Sequence, residues 1–125
     1  DTNSGSLVLY LTYDKFTMLF TGDLNGEQES LLEPDRGEES MPSVNILKVA
    51  HHGSSSSSSE DLFKMIDPKV ALISVGKNNR YRHPSYLTLK RLEAYGVKIY
   101  RSDLQGMVKI VYYGGKNYIM TSSGF

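Results

Sequence analysis

The chain has 125 residues, 39% of them apolar, with 14 acidic and 14 basic side chains and no cysteine. That length allows one domain with a moderate core, the lack of cysteine excludes disulfides and thiolate ligands, and no apolar run reaches the roughly 20 residues that cross a bilayer. The neutral total hides a division, with twelve acids and four bases in residues 1–67 against two acids and ten bases in residues 68–125.

In chain order, alternating Leu7, Leu9 and Leu11 predict a strand over Ser6–Tyr13, a turn at Asp14-Lys15 and a return strand over Phe16–Thr21. Both strands are apolar at most positions, so burial on two faces is expected. Asn25 can cap a helix running to about Glu33, where Pro34 stops it, and residues 35–43 form a polar loop. Val44–Ala50 reads as a core strand. The run Ser54–Ser59 reads as low-complexity, mobile chain whose last members cap a helix to Ile66, with Ser58/Asp61 or Ser57/Glu60 at capping-box spacing. Lys69–Val75 reads as a buried strand and 76–83 as a loop. A helix with Pro84 in its first turn runs to Tyr95, with Gly96 beyond it. Val97–Tyr100 is a short strand, and Met107–Tyr112 with Asn117–Thr121 form a closing hairpin around Gly114-Gly115. The order β-β-α-β-α-β-α-β-β-β predicts a layered α/β fold with a mixed sheet and flanking helices.

Two strands run into metal-ligand residue types. The first ends in Thr21-Gly22-Asp23 and the second in Ala50-His51-His52-Gly53. A strand tip is rigid yet open to solvent on one side, which suits a metal that keeps a position for water. Adjacent residues of an extended chain point opposite ways. Unless the strand has ended there and the loop turns, one histidine is therefore expected to bind metal and the other to act on substrate or water; His51, which continues the strand, is favoured as the ligand and His52 as the catalytic group, with the reverse order open. Gly53 allows close backbone approach, and Ser54 offers a hydroxyl and an N–H to an anion. The loop containing Asn79, Arg80, Tyr81, Arg82 and His83 mixes charge, hydrogen-bonding groups and an aromatic face, a combination suited to a phosphodiester. The surrounding basic excess can attract phosphates.

The ordered string Thr21-Gly22-Asp23, Leu47-Lys48-Val49-Ala50-His51-His52-Gly53-Ser54, Asn79 to Ser85 and Arg101 to Gly106 resembles the metallo-β-lactamase-fold domain of the ComEC/Rec2 family of competence (DNA-uptake) proteins, from about Asn3 to about Tyr118. The resemblance implies a four-layer αββα sandwich of two halves. It implies a divalent centre of zinc or manganese with Asp23 as a bridging ligand, and a catalytic part for His83. The superfamily's first metal motif, His-x-His-x-Asp-His, is absent: the three histidines are His51, His52 and His83. Residues 1–125 are therefore expected to be the C-terminal part of one such domain, with an exposed apolar face. That face would be covered by the N-terminal half of the same domain or by self-association. Asp103 is expected to support structure near the site.

The function expected is that of part of a metal-dependent phosphodiesterase or nuclease acting on DNA, in an extracytoplasmic soluble domain of a bacterial membrane protein. The alternatives are a fragment of a stand-alone cytoplasmic small-molecule hydrolase of the same superfamily, and a non-catalytic nucleic-acid-binding module. With so few ligands, the chain alone is expected to bind metal weakly or not at all. Pure chain with added zinc or manganese should not turn over bis-p-nitrophenyl phosphate above the metal-only control; robust, chelator-sensitive turnover would contradict the incomplete ligand set.

Overall fold

The computed structural model describes residues 5–32 and 42–123. Five strands form one mixed sheet in the order β1 (Leu9–Tyr13), β2 (Phe16–Phe20), β3 (Ile46–Lys48), β4 (Val70–Ile73) and β5 (Lys98–Arg101). β1 pairs antiparallel with β2, and β2 through β5 run parallel. The connecting helices are α1 (Gly26–Glu29), α2 (Glu60–Ile66) and α3 (Tyr86–Ala94). After β5 come a short helix α4 (Ser102–Gln105) and a separate hairpin of β6 (Val108–Tyr113) and β7 (Lys116–Thr121). The mixed sheet with flanking helices agrees with the expected α/β class. The helix α4 was not anticipated: one turn of four residues leaves no apolar period to read.

Alternation divides the sheet into two unlike faces. Leu19, Leu47, Val49, Ala71 and Ile73 pack with Leu62, Phe63 and Ile66 of α2 and Leu92 of α3 in the main core. The opposite face carries Phe16, Met18 and Ile46, against which Ile110 and Tyr112 of β6 pack. Tyr112 lies edge-on to Tyr13 with centroids 5.9 Å apart and donates its hydroxyl proton to the carboxylate of Asp14. The hydrogen bond to Tyr112 holds the Asp14 carboxyl below its usual range, and the same bond raises the phenol.

Burial of β1 on two faces is not observed. Leu9 remains 53% exposed and Leu11 48%, while the hairpin meets this edge strand at Tyr13 through Tyr112.

The serine run is threaded by hydrogen bonds, contrary to the mobile chain expected of its composition. Glu29, 1% exposed, accepts from the N–H of Ser58 at 2.5 Å, from the N–H of Ser59 at 2.9 Å and from the hydroxyl of Ser59 at 2.5 Å. Arg91 donates to the carbonyls of Ser58 and Ser55 at 3.1 and 2.9 Å. Ser59, one residue later than expected, caps α2 by accepting from Leu62 N–H. Ser85 caps α3, leaving Pro84 just outside the helix. Asn25 caps α1 in a full capping box with Gln28, and a 3-10 turn continues through Leu32. The expected end of that helix at Glu33-Pro34, and residues 35–41 of the polar loop, lie outside the described residues.

Replacing Glu29 by Ala leaves the buried N–H of Ser58 without its acceptor. The expected loss is about 2–4 kcal/mol of unfolding free energy in urea denaturation, with a smaller loss for Glu29→Gln, which keeps one acceptor oxygen.

Candidate functional site

β3 ends at Lys48, and the chain then reverses through three consecutive residues with left-handed backbone, His51 (φ 49), His52 (φ 54) and Gly53 (φ 85). A left-handed residue other than glycine costs of order 1–3 kcal/mol and persists only where surrounding bonds over-determine it. Those bonds are present. The N–H of His51 donates to Gly22 O at 2.9 Å, the N–H of Ser54 to His51 O at 3.0 Å, and the N–H of Ser85 to Gly53 O at 2.9 Å. A Cβ on Gly53 would stand 2.5 Å from Cβ of Pro84, so a side chain there would push the loop before α3 away.

The premise that His51 and His52 alternate as on a strand is therefore corrected: the strand has already ended, and both rings sit on one turn with centroids 6.5 Å apart. His83 joins them from the loop before α3, 5.8 Å from His51. Tyr81 stacks on His83 at 5.9 Å and 17°, and the guanidinium of Arg80 lies 4.9 Å over the Tyr81 ring. Asn79 brackets this loop, accepting from His83 N–H at 2.8 Å and donating to the carbonyls of His83 at 2.8 Å and Gly76 at 3.1 Å. Ser54 is buried, its hydroxyl 3.0 Å from that of Ser56 and its carbonyl accepting from Thr88 at 3.0 Å. Asp23 is exposed at the end of β2, with its N–H donated to Ser6 Oγ at 3.2 Å. The bond between His51 and Gly22 draws the two strand tips together. Asp103 is held bidentately by Arg101, at 2.7 and 3.0 Å.

The ring nitrogens are unevenly occupied. Nδ1 of His52 lies 2.7 Å from the carbonyl of Ser74. A carbonyl can only accept, so Nδ1 carries the proton and Nε2 of the neutral ring keeps its lone pair. Nδ1 of His51 and of His83 are buried without a partner. Such orphaned imidazole nitrogens, beside a nearby aspartate, suit a share in a divalent metal's coordination shell. Among the described residues no group of three or more His, Asp or Glu side chains is arranged to hold a metal ion.

Two residues here were not singled out from the sequence. Glu29 builds the serine scaffold described above. Lys48, the half-buried last residue of β3, lies within electrostatic reach of Asp23. A lysine inside the apolar run Val44–Ala50 was the available signal for the second; the first has none, because its partners lie 29 and 30 residues away.

No family model matches the chain. Over nearly its whole length, however, it aligns with competence proteins. It is 37% identical over 125 residues to ComE operon protein 3 of Bacillus subtilis, covering 97% of this chain and 15% of the relative. It is 32% identical over 111 residues to Recombination protein 2 of Haemophilus influenzae, and 35% over 109 residues to Competence protein ComA of Neisseria gonorrhoeae. The chain is related to one segment of the ComEC/Rec2-family competence proteins. It covers 89% and 87% of its own length in the latter two matches but spans 14% and 16% of those relatives. Among the described residues no helix is long and apolar enough to cross a membrane.

Burial first, and then the charges of His51 and His52, hold the His83 imidazole below the ordinary histidine range. The folded state thus binds this proton less readily than the unfolded chain. The stability His83 contributes is complete above the ordinary histidine pKa of about 6.5 and is lost as pH falls through it toward the lower folded midpoint. In an NMR titration, the His83 midpoint should rise in His51→Ala and still fall short of the ordinary value, since burial remains. An unmoved midpoint would show that the two rings are not electrostatically coupled.

Proposed function

We propose that this chain is the C-terminal part of a metallo-β-lactamase-type domain that hydrolyses phosphodiester bonds of DNA within a DNA-uptake protein. The observation that carries the reading is the strained His51-His52 turn, which gathers three imidazoles beside the Asp23 strand tip in a chain related to competence proteins. The apolar exposure of β1 supports the expectation that a further segment, the N-terminal half of the same domain, completes both the sandwich and the ligand set. The membrane-attached parent and its extracytoplasmic side belong to the same proposal.

Asp23 and His51 would hold the divalent ion, zinc or manganese. When bound, such an ion lowers the pKa of water toward neutrality and stabilises charge on phosphoryl oxygens. His52, its Nδ1 proton committed to Ser74, presents Nε2 to accept a proton from the attacking water or to orient it. His83, with its pKa held low, is neutral at physiological pH and offers a hydrogen bond to the substrate. Tyr81, Arg80 and the Asn79-bracketed loop flank the scissile group, with an aromatic face for a base and a cation for phosphate. Ser54, buried as it is, supports the turn more directly than it reaches substrate.

The test is metal content. Zinc titrated by calorimetry into the chain should bind weakly, and Asp23→Ala should weaken it by at least about tenfold, no less than the loss of an outer-shell partner costs. In the complete domain, His51→Ala should lose metal and activity together, whereas His52→Ala should keep metal and lose rate. Equal zinc affinity in wild type and Asp23→Ala removes Asp23 from the site, and the opposite histidine pattern reverses the two assignments.

A further inference from the structure

Lys48 occupies an unusual place. By register it lies between Phe20 of β2 and Leu72 of β4, on the sheet face opposite the helices. Among the described residues no carboxylate comes within ion-pair distance of its ammonium, and one of its three donors is used by the carbonyl of Val49 at 3.2 Å. A charged group in an otherwise apolar row, with donors to spare, is costly unless something else satisfies it.

Beside it lies a cavity of about 280 Å³ lined by Lys48, Leu72, Ser74, Tyr100, Ser102 and Met107 among others. The cavity opens at the carboxyl ends of the parallel strands β3, β4 and β5, where open α/β sheets bind ligands. Its wall is continuous with the histidine turn, because Ser74, which lines it, gives its carbonyl to His52. Ser102 closes the far side by exchanging two hydrogen bonds of 2.8 Å with the backbone of Val75. The volume suits one phosphate group with part of its sugar, near the small end of ligand sites. Burial pushes the Lys48 ammonium below the usual lysine range, with the Asp23 carboxylate opposing. Weakened hydration strengthens the attraction of such a cation for an anion entering the cavity.

We propose that Lys48 is the anion anchor of this site, taking a non-bridging oxygen of the substrate's phosphodiester group in the cavity and holding the phosphorus beside His52. The class of ligand rests on the phosphodiester reading above. The placement of the anion rests on the cavity and on Lys48.

The experiment titrates the thymidine dinucleotide, which carries one phosphodiester, into the chain in chelator-containing, metal-free buffer, followed by amide and lysine side-chain NMR. Shifts are expected at Lys48, Ser74, Tyr100 and Ser102. Lys48→Met, which keeps the apolar stem, should bind about tenfold more weakly, whereas Lys48→Arg should stay within about threefold of wild type because the charge is retained. Unchanged amide spectra and melting temperature in both variants separate binding from folding. If Lys48→Met does not fold, the Lys48 side-chain resonances of the wild type decide: they move with the dinucleotide or the anchor is wrong. Equal affinity in wild type and Lys48→Met, shifts confined to the Arg80–Arg82 loop, or no binding by wild type each overturns the inference. Because no metal is present, equal zinc affinity in wild type and Asp23→Ala with the Lys48 effect intact would remove the metal reading alone.

Discussion

The site hangs on a backbone reversal that the chain would not adopt unaided. Two histidines and a glycine in succession take left-handed conformations, and three hydrogen bonds tie that reversal to the end of β2, to its own continuation and to the loop before α3. Each bond reaches a different part of the chain. The backbone that carries the imidazoles is therefore held by two tertiary bonds and one local bond, and the strain is held at the place where side-chain direction matters most. Gly22 serves the same junction from the other strand: it turns at φ 56, where a Cβ would approach Leu7 O to 3.0 Å, and its carbonyl receives His51.

The two faces of the sheet explain where the site can open. The helix face is closed by a contiguous apolar core from β2 through β5. The other face is covered at the Phe16 end by the hairpin, while its opposite end carries Lys48, the cavity and the strand tips. Polar chemistry thus collects at the carboxyl ends of parallel strands, on the side that the chain's own elements cover least.

Rigidity beneath the site comes from an unexpected source. A run of six serines would suit a flexible tether, but the buried Glu29 carboxylate and the Arg91 guanidinium hold it from opposite ends of the charge scale. Part of the basic excess in the second half of the chain is consumed this way, and part by the Arg101–Asp103 and Lys90–Glu93 pairs. Arg80 and Arg82 instead stay exposed on the His83 loop.

The element order was legible in the sequence because each element carries a local signal. Alternation marks β1, Asn25 and Gly96 mark helix ends, and Gly114-Gly115 marks the closing turn. The residue types of the site were legible for a related reason, since Asp23 and His51-His52 stand where apolar runs stop. Only the tertiary structure decided how they face one another. Strand alternation implied opposed histidines, and the hydrogen bond from His51 to Gly22, spanning 29 positions, turned them onto one reversal. The serine run and Glu29 were opaque for the same reason: a carboxylate's partners 29 and 30 residues away leave no periodicity. Lys48 shows the boundary well. Its place in an apolar strand is local information, but the cavity beside it forms from β3, β4, β5 and the start of β6 together. Sequence fixes what is near along the chain, and burial and hydrogen bonding between distant segments fix what is near in space.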